Sequence, residues 1–258
     1  MNFALKNLPE RTQKPRKNGV TMVMDKGMGL NSVSDFLSVA APYIDFVKLG
    51  FGTSFVTPQL KEKIALYQDA GVPVYFGGTL FEAFLIRNQF DDYLQIIKDY
   101  NLTYVEVSDG SITIPHIEKC GYIEKLAKHT NVLSEVGSKD ATNIMPPYKW
   151  IELMHSELEA GSQYVIAEAR EAGNVGIYRD SGEVRQGLVQ EILTKIPSEN
   201  IIWEAPQKSQ QVYFLQLLGA NVNLGNLAPA EVLPLECMRY GLRGDTFHMF
   251  LDGAATHP

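Results

Sequence analysis

Short apolar runs recur along this chain from Gly19 onward, each followed by a longer stretch whose apolar positions return every third or fourth residue. The first pattern is that of buried strands, the second that of helices with one apolar face. Strands are predicted near 20–24, 45–49, 73–76, 103–107, 132–136, 164–168, 201–204 and 222–224. Helices are predicted near 32–41, 58–70, 80–99, 116–129, 147–160, 183–195, 209–218 and 229–241. Boundary residues agree, since Thr57-Pro58 and Pro146-Pro147 open helices while Gly71, Gly161 and Gly219 follow them. Eight β-then-α units of roughly 32 residues predict an α/β fold, a (β/α)8 TIM barrel, in preference to an open doubly wound sheet. No shift in composition marks a second domain, so one barrel is expected over 20–258. Residues 1–19 carry Lys6, Arg11, Lys14, Arg16 and Lys17 and read as a basic arm. Such an arm is either solvated or draped over the surface, or it lends cations to a neighbouring anionic site.

With 45% hydrophobic and 21% charged residues, the chain is ordinary globular material. The net charge of −7 argues against a general nucleic-acid binder or an anionic-membrane binder, which need an excess of Lys and Arg. Any bound anion must then meet locally placed cations. Cys120 and Cys237 stand far apart without a partner motif, as expected for reduced thiols in a cytoplasmic protein. No apolar run approaches the roughly 18 residues of a membrane span, and the first residues lack a signal-peptide core. Gly-x-Gly-x-x-Gly after the first strand and a Walker-type loop are both missing, which removes the main support for nucleotide-binding folds.

Charged groups collect where the predicted strands end. NVLSEVGSKD (131–140) runs from an apolar approach into Glu135, a glycine turn and Lys139, and MVMDKG, DFVKLGFG, YVEVSDG, YVIAEAR and IIWEAP share that grammar. In a barrel the carboxyl ends of all strands surround one mouth. Period-two alternation then brings Glu106, Glu135, Glu168 and Glu204 together, with Asp25 close by. Each glutamate alone can also be read as half of a salt bridge to a neighbouring strand's Lys or Arg, a reading that weakens when four act together. Together they suit Mg2+, a hard cation that takes oxygen ligands and keeps waters for a substrate. His116, His129, His155, His248 and His257 do not form a zinc set. The cations expected at the same mouth are Lys26, Lys48, Lys139, Arg170 and Lys208, with Arg239 and Arg243 after the last strand. NVNLGNLAPAEV (221–232) reads as a turn at Gly225-Asn226 leading into a helix N-terminus, a phosphate-binding arrangement or a plain βα turn.

Ten segments in order closely resemble the phosphosulfolactate synthase family. They are KPR (14–16), TMVMDKG (21–27), VKLGFGTS (47–54), FGGTLFE (76–82), YVEVSDGS (104–111), SEVGSKD (134–140), EARE (168–171), WEAPQKSQQ (203–211), NVNLGN (221–226) and LRGDT (242–246). The resemblance implies a TIM-barrel lyase that, with Mg2+, adds sulfite to phosphoenolpyruvate to give (2R)-phospho-3-sulfolactate, the opening step of coenzyme M biosynthesis in methanogens. Related bacteria make sulfolactate, and a plant branch is known as heat-stress-associated proteins. On that reading Glu135, Glu168, Glu204 and Glu106 hold the metal, and Lys139 and Lys48 are catalytic, with Lys139 protonating C2 of an enediolate. Lys26, Arg170, Lys208, Gly225, Asn226 and Arg243 bind substrate, and the assembly is homo-oligomeric. Ser138 stands where many relatives carry a second lysine, a change that weakens anion binding without removing the acid. Two rivals remain open: an aldolase-type barrel with a Schiff base on Lys48 or Lys139, and a non-catalytic stress or scaffold barrel.

Overall fold

The computed structural model describes residues 2–137, 145–169 and 172–251. Eight parallel strands follow one another as β1 (Thr21–Asp25), β2 (Phe46–Leu49), β3 (Val74–Phe76), β4 (Tyr104–Val107), β5 (Asn131–Val136), β6 (Ser162–Ala167), β7 (Ile201–Glu204) and β8 (Leu224–Leu227). Among the described residues there are ten α-helices. The first five are α1 (Leu30–Ala40), α2 (Thr53–Val56), α3 (Leu60–Asp69), α4 (Gly78–Leu85) and α5 (Phe90–Asp99). The others are α6 (His116–Ala127), α7 (Pro147–Glu159), α8 (Gln186–Leu193), α9 (Lys208–Leu218) and α10 (Val232–Arg239). The sheet runs β3-β2-β1-β8-β7-β6-β5-β4, a nearly closed (β/α)8 barrel. No helix among the described residues is long and apolar enough to cross a membrane.

Strand alternation divides the apolar residues into two cores. Val23, Val47, Val105, Val107, Val165 and Trp203 pack outward against the helices, Trp203 stacking on Phe214 at 4.9 Å between ring centroids. Met22, Phe46, Tyr75, Leu133, Tyr164, Ile166 and Ile202 fill the barrel itself. Each such side chain contributes roughly 1.5–3 kcal/mol by leaving water. The alternation also decides the next inward position on four strands, where Lys48, Glu106, Glu135 and Glu204 stand above that apolar floor.

Among the described residues no ladder joins β3 to β4, and side chains close this seam. The Gly78 N–H that opens α4 donates to Glu106 Oε1 at 2.6 Å. A Cβ on Gly78 would run into the Ser108 side chain and lie 2.8 Å from Glu106 Oε1, so only glycine lets the two edges approach this closely.

The amino-terminal arm is draped across the opposite end of the barrel. Arg11, 5% exposed, bonds both oxygens of Glu236 at 3.0 and 3.1 Å, and Arg16 reaches Asp45 at 3.1 and 3.3 Å. Arg239, fully buried, donates to the carbonyls of Ala220 (2.6 Å), Val222 (2.8 Å) and Val20 (3.2 Å), which precede β8 and β1. Burial, with Arg11 nearby, pulls its guanidinium down to about 9.

Three sequence expectations change. The predicted helix 80–99 is two helices, broken at Asn88, which takes a left-handed φ of 56° that asparagine tolerates better than most residues. A short helix, α2, stands ahead of the helix predicted over 58–70, which forms as α3. Strand eight starts at Leu224 rather than near 222, so Gly225 and Asn226 belong to the strand instead of a phosphate-binding turn. Gly225 faces the barrel interior, where a Cβ would meet Met22 Cε at 2.6 Å and Ile202 Cγ2 at 2.8 Å. Removing one partner of the buried Arg11–Glu236 pair strands a charge. Arg11→Ala is therefore expected to lose about 3–5 kcal/mol in denaturant unfolding, and Lys6→Ala almost nothing.

Candidate active site

Lys48 is the hub of the mouth. Its ammonium lies 2.8 Å from Glu106 Oε1, 3.8 Å from Glu135 Oε1 and 3.9 Å from Glu204 Oε1. Glu168, one residue beyond β6, completes the set, and oxygens of Glu135, Glu168 and Glu204 all lie within 4.8 Å of one another. All five residues are at most 5% exposed. They form one wall of a cavity of about 530 Å³, which Met24, Phe51, Thr79, Ser111, Asn174 and Asn226 also line. That volume falls in the range of small-molecule sites.

Burial alone would push the Lys48 ammonium toward neutrality, but Glu106, Glu135 and Glu204 outweigh it and hold its pKa well above the ordinary lysine value. Burial raises Glu106, against Lys48. Burial also raises Glu204, to about 7, with Glu135 adding to the shift and Lys48 and the Ala169 N–H opposing it. That N–H donates to Glu204 Oε2 at 3.0 Å, and the Tyr178 hydroxyl donates to the Glu204 carbonyl at 2.5 Å, so the end of β7 is pinned from two sides.

The mouth brings together Lys48, Glu106, Glu135, Glu168, Glu204 and Asn226, the last in a left-handed backbone with φ of 58°. Lys26 and Lys208 stand at the rim. Lys26 is exposed beyond β1, and Lys208 opens α9 and pairs with Glu231 at 2.7 Å. Lys139 and Arg170 lie outside the described residues. Asp25 does not join the cluster. Odd parity on β1 turns it outward, where Lys63 (2.6 Å) and Tyr67 (2.9 Å) bind Oδ2 while Oδ1 accepts the N–H groups of Gly27 and Met28, both at 2.8 Å. Arg239 and Arg243 are not at the mouth either. Arg239 plugs the opposite end, and Arg243 follows α10 there, pairing with Asp245.

Sequence reasoning missed the polar wall made by Thr79, Ser111 and Asn174. Thr79 and Ser111 stand just after strand ends, inside FGGTLFE and YVEVSDGS, which was the available signal. It also missed Glu82 on α4, which accepts from the Ser108 hydroxyl, from Gly110 N at 3.2 Å and from Ser111 N at 2.6 Å, and so shapes the loop after β4.

A parallel barrel whose strand ends gather buried carboxylates around an ammonium is an enzyme-type (β/α)8 barrel. The pattern of the (2R)-phospho-3-sulfolactate synthase (ComA) family matches residues 9–245, and the chain belongs to that family. It is 43% identical over 244 residues to phosphosulfolactate synthase of Methanothermobacter thermautotrophicus, covering 92% of this chain and 95% of that one. It is 39% identical over 252 residues to phosphosulfolactate synthase of Bacillus subtilis, covering 96% and 100%. Among solved structures, 3-hexulose-6-phosphate synthase from Salmonella typhimurium shares the fold with a TM-score of 0.54 at 14% identity, over 85% of this chain and 99% of that one.

The raised pKa of Glu204 has a signed consequence. Between the ordinary value of 4.5 and about 7, the folded protein keeps a proton that the unfolded chain has lost. The protein is therefore expected to lose stability as pH rises through that window. Thermal melts of metal-free protein from about pH 5 to about pH 8 check this, with Glu204→Gln expected to flatten the profile.

Proposed function

We propose that this protein adds sulfite to phosphoenolpyruvate to give (2R)-phospho-3-sulfolactate. The observation that carries the reading is the convergence of Glu135, Glu168 and Glu204 oxygens within 4.8 Å beside the Lys48 ammonium. Three buried carboxylates this close fit a hard divalent cation, and the upward shift of Glu204, to which Glu135 contributes, accords with repulsion among them. Glu135, Glu168 and Glu204 would hold Mg2+, with Glu106 kept back by its bonds to Lys48 and Gly78. When bound, the ion supplies positive charge to the substrate carboxylate.

The sulfite lone pair forms the new bond to C3 of phosphoenolpyruvate, and the C2=C3 π pair moves toward C2 and the carboxylate. Lys48, held as an ammonium, offsets that developing charge from below. C2 then takes one proton, for which Lys139 is the proposed donor, four residues beyond Glu135 across the Gly137 turn. Lys26 and Lys208 at the rim, with Thr79 and Ser111 on the wall, are the proposed holders of phosphate and sulfonate, and Arg170 is proposed to assist them. A cytoplasmic setting accords with both cysteines being free thiols.

The Schiff-base alternative loses support at Lys48, since an ammonium held by three carboxylates is a poor nucleophile. A scaffold role leaves unexplained why charges this costly to bury stay clustered in a cavity.

Purified protein given phosphoenolpyruvate, sulfite and Mg2+ is expected to show a new phosphate monoester by phosphorus NMR. EDTA should abolish it, and borohydride with a keto acid should leave activity intact. Product formed at full rate in EDTA would remove the metal from this scheme. Lys139→Ala is expected to lower kcat by roughly 10²–10⁴-fold with an unchanged melting temperature. Near-normal kcat with reduced stability would make Lys139 structural.

A further inference from the structure

Behind the mouth lies a second buried ammonium that the reaction scheme does not use. Lys119, on α6, is 2% exposed, and its three acceptors belong to three different segments. It donates to the Glu135 backbone carbonyl at 2.6 Å and to Asp109 Oδ1 at 2.9 Å, and it pairs with Glu157 Oε1 at 2.8 Å. Glu135 lies near the end of β5, Asp109 lies in the loop after β4, and Glu157 is fully buried on α7.

The sheet explains why such a group is needed. The register of β4 with β5 ends at Val107 opposite Ser134, and the next carbonyl of β5, that of Glu135, accepts from Lys119. An ammonium has three protons and no acceptor capacity, and here two hydrogen bonds and an ion pair engage it. One bond fixes the backbone beneath a mouth carboxylate. A second fixes the loop whose other end presents Ser111 to the cavity, where Glu82 holds it from the far side. A buried pair of Lys119 and Glu157 adds little stability over apolar residues of equal volume, but it defines geometry closely.

We propose that Lys119 is a positioning residue of the mouth, setting Glu135 against Glu168 and Glu204 and the loop at 109–111 against the cavity, and thereby governing divalent-cation affinity. The affinity half rests on the metal reading given above; the placement of Glu135 does not.

Lys119→Met alone strands the Glu157 charge and is expected to melt at lower temperature. The informative variant is Lys119→Met/Glu157→Gln, which removes both charges at nearly constant volume. It is expected to recover most of the melting temperature, yet to bind Mn2+, followed by electron paramagnetic resonance, roughly 10–100-fold more weakly than the unaltered protein. Its crystal structure is expected to show the Glu135 carboxylate displaced from those of Glu168 and Glu204. Wild-type Mn2+ affinity with Glu135 unmoved in the double variant would overturn the proposal and leave Lys119 a structural staple. If the unaltered protein binds no Mn2+, the metal reading falls separately, and the position of Glu135 in the double variant still decides the role of Lys119.

Discussion

Carboxylates buried at the ends of neighbouring strands repel one another, and the Lys48 ammonium is the charge around which this mouth is arranged. A unit pair about 4 Å apart interacts with about 4 kcal/mol at an effective dielectric near 20, and Lys48 stands within that distance of Glu106, Glu135 and Glu204. Its contact with Glu106 also closes the barrel, because Glu106 in turn receives the Gly78 N–H across the seam between β3 and β4. One ion pair thus joins the weakest edge of the sheet to the centre of the site. The same lysine that sets the electrostatics helps to hold the barrel shut.

Charge is partitioned along the barrel axis. At the amino-terminal end, Arg11, Arg16 and Arg239 are consumed by Glu236, Asp45 and backbone carbonyls, a network that serves stability. Around the mouth, a second class of buried group reaches in from the helices and fixes loops: Lys63 and Tyr67 on Asp25, Glu82 on the loop after β4, and Lys119 on Asp109 and Glu135. Helix side chains do this well because their backbones are already ordered, so locking a loop costs little further entropy.

What the sequence disclosed follows from parity and locality. Period two places Lys48, Glu106, Glu135 and Glu204 on inward faces once the apolar residues two positions earlier are known to fill the barrel, and both kinds of residue are visible in one strand. Asp25 does not follow them because it shares parity with Val23, which packs outward. Arg239 and Arg243 escaped because a residue near the end of a helix that follows a strand has travelled back to the opposite face. The break at Asn88 carried no glycine or proline to announce it, and Gly225 announced a turn where its real role is to admit Met22 and Ile202. Lys119 was invisible as well, since on a helix with apolar neighbours a lysine reads as a solvated charge until its acceptors, brought by other segments, are seen.

The electrostatics also constrain the order of events at the mouth. The proposed substrates, phosphoenolpyruvate and sulfite, are anions, and the chain as a whole is acidic, with a net charge of −7. A mouth of four buried glutamates and one adjacent ammonium is hostile to both until its charge is reduced. Protonation would do this partly, in line with the upward shift that burial gives Glu204, but a protonated carboxyl is a poor ligand for a cation. A divalent ion reverses the sign of the problem, since it keeps the carboxylates ionised and offers positive charge outward. On the proposed function, cation binding would therefore come before substrate binding, with the glutamates serving the anions only indirectly. Lys26, exposed beyond β1, and Lys208, paired with Glu231, would then act apart from the glutamates that Lys48 holds.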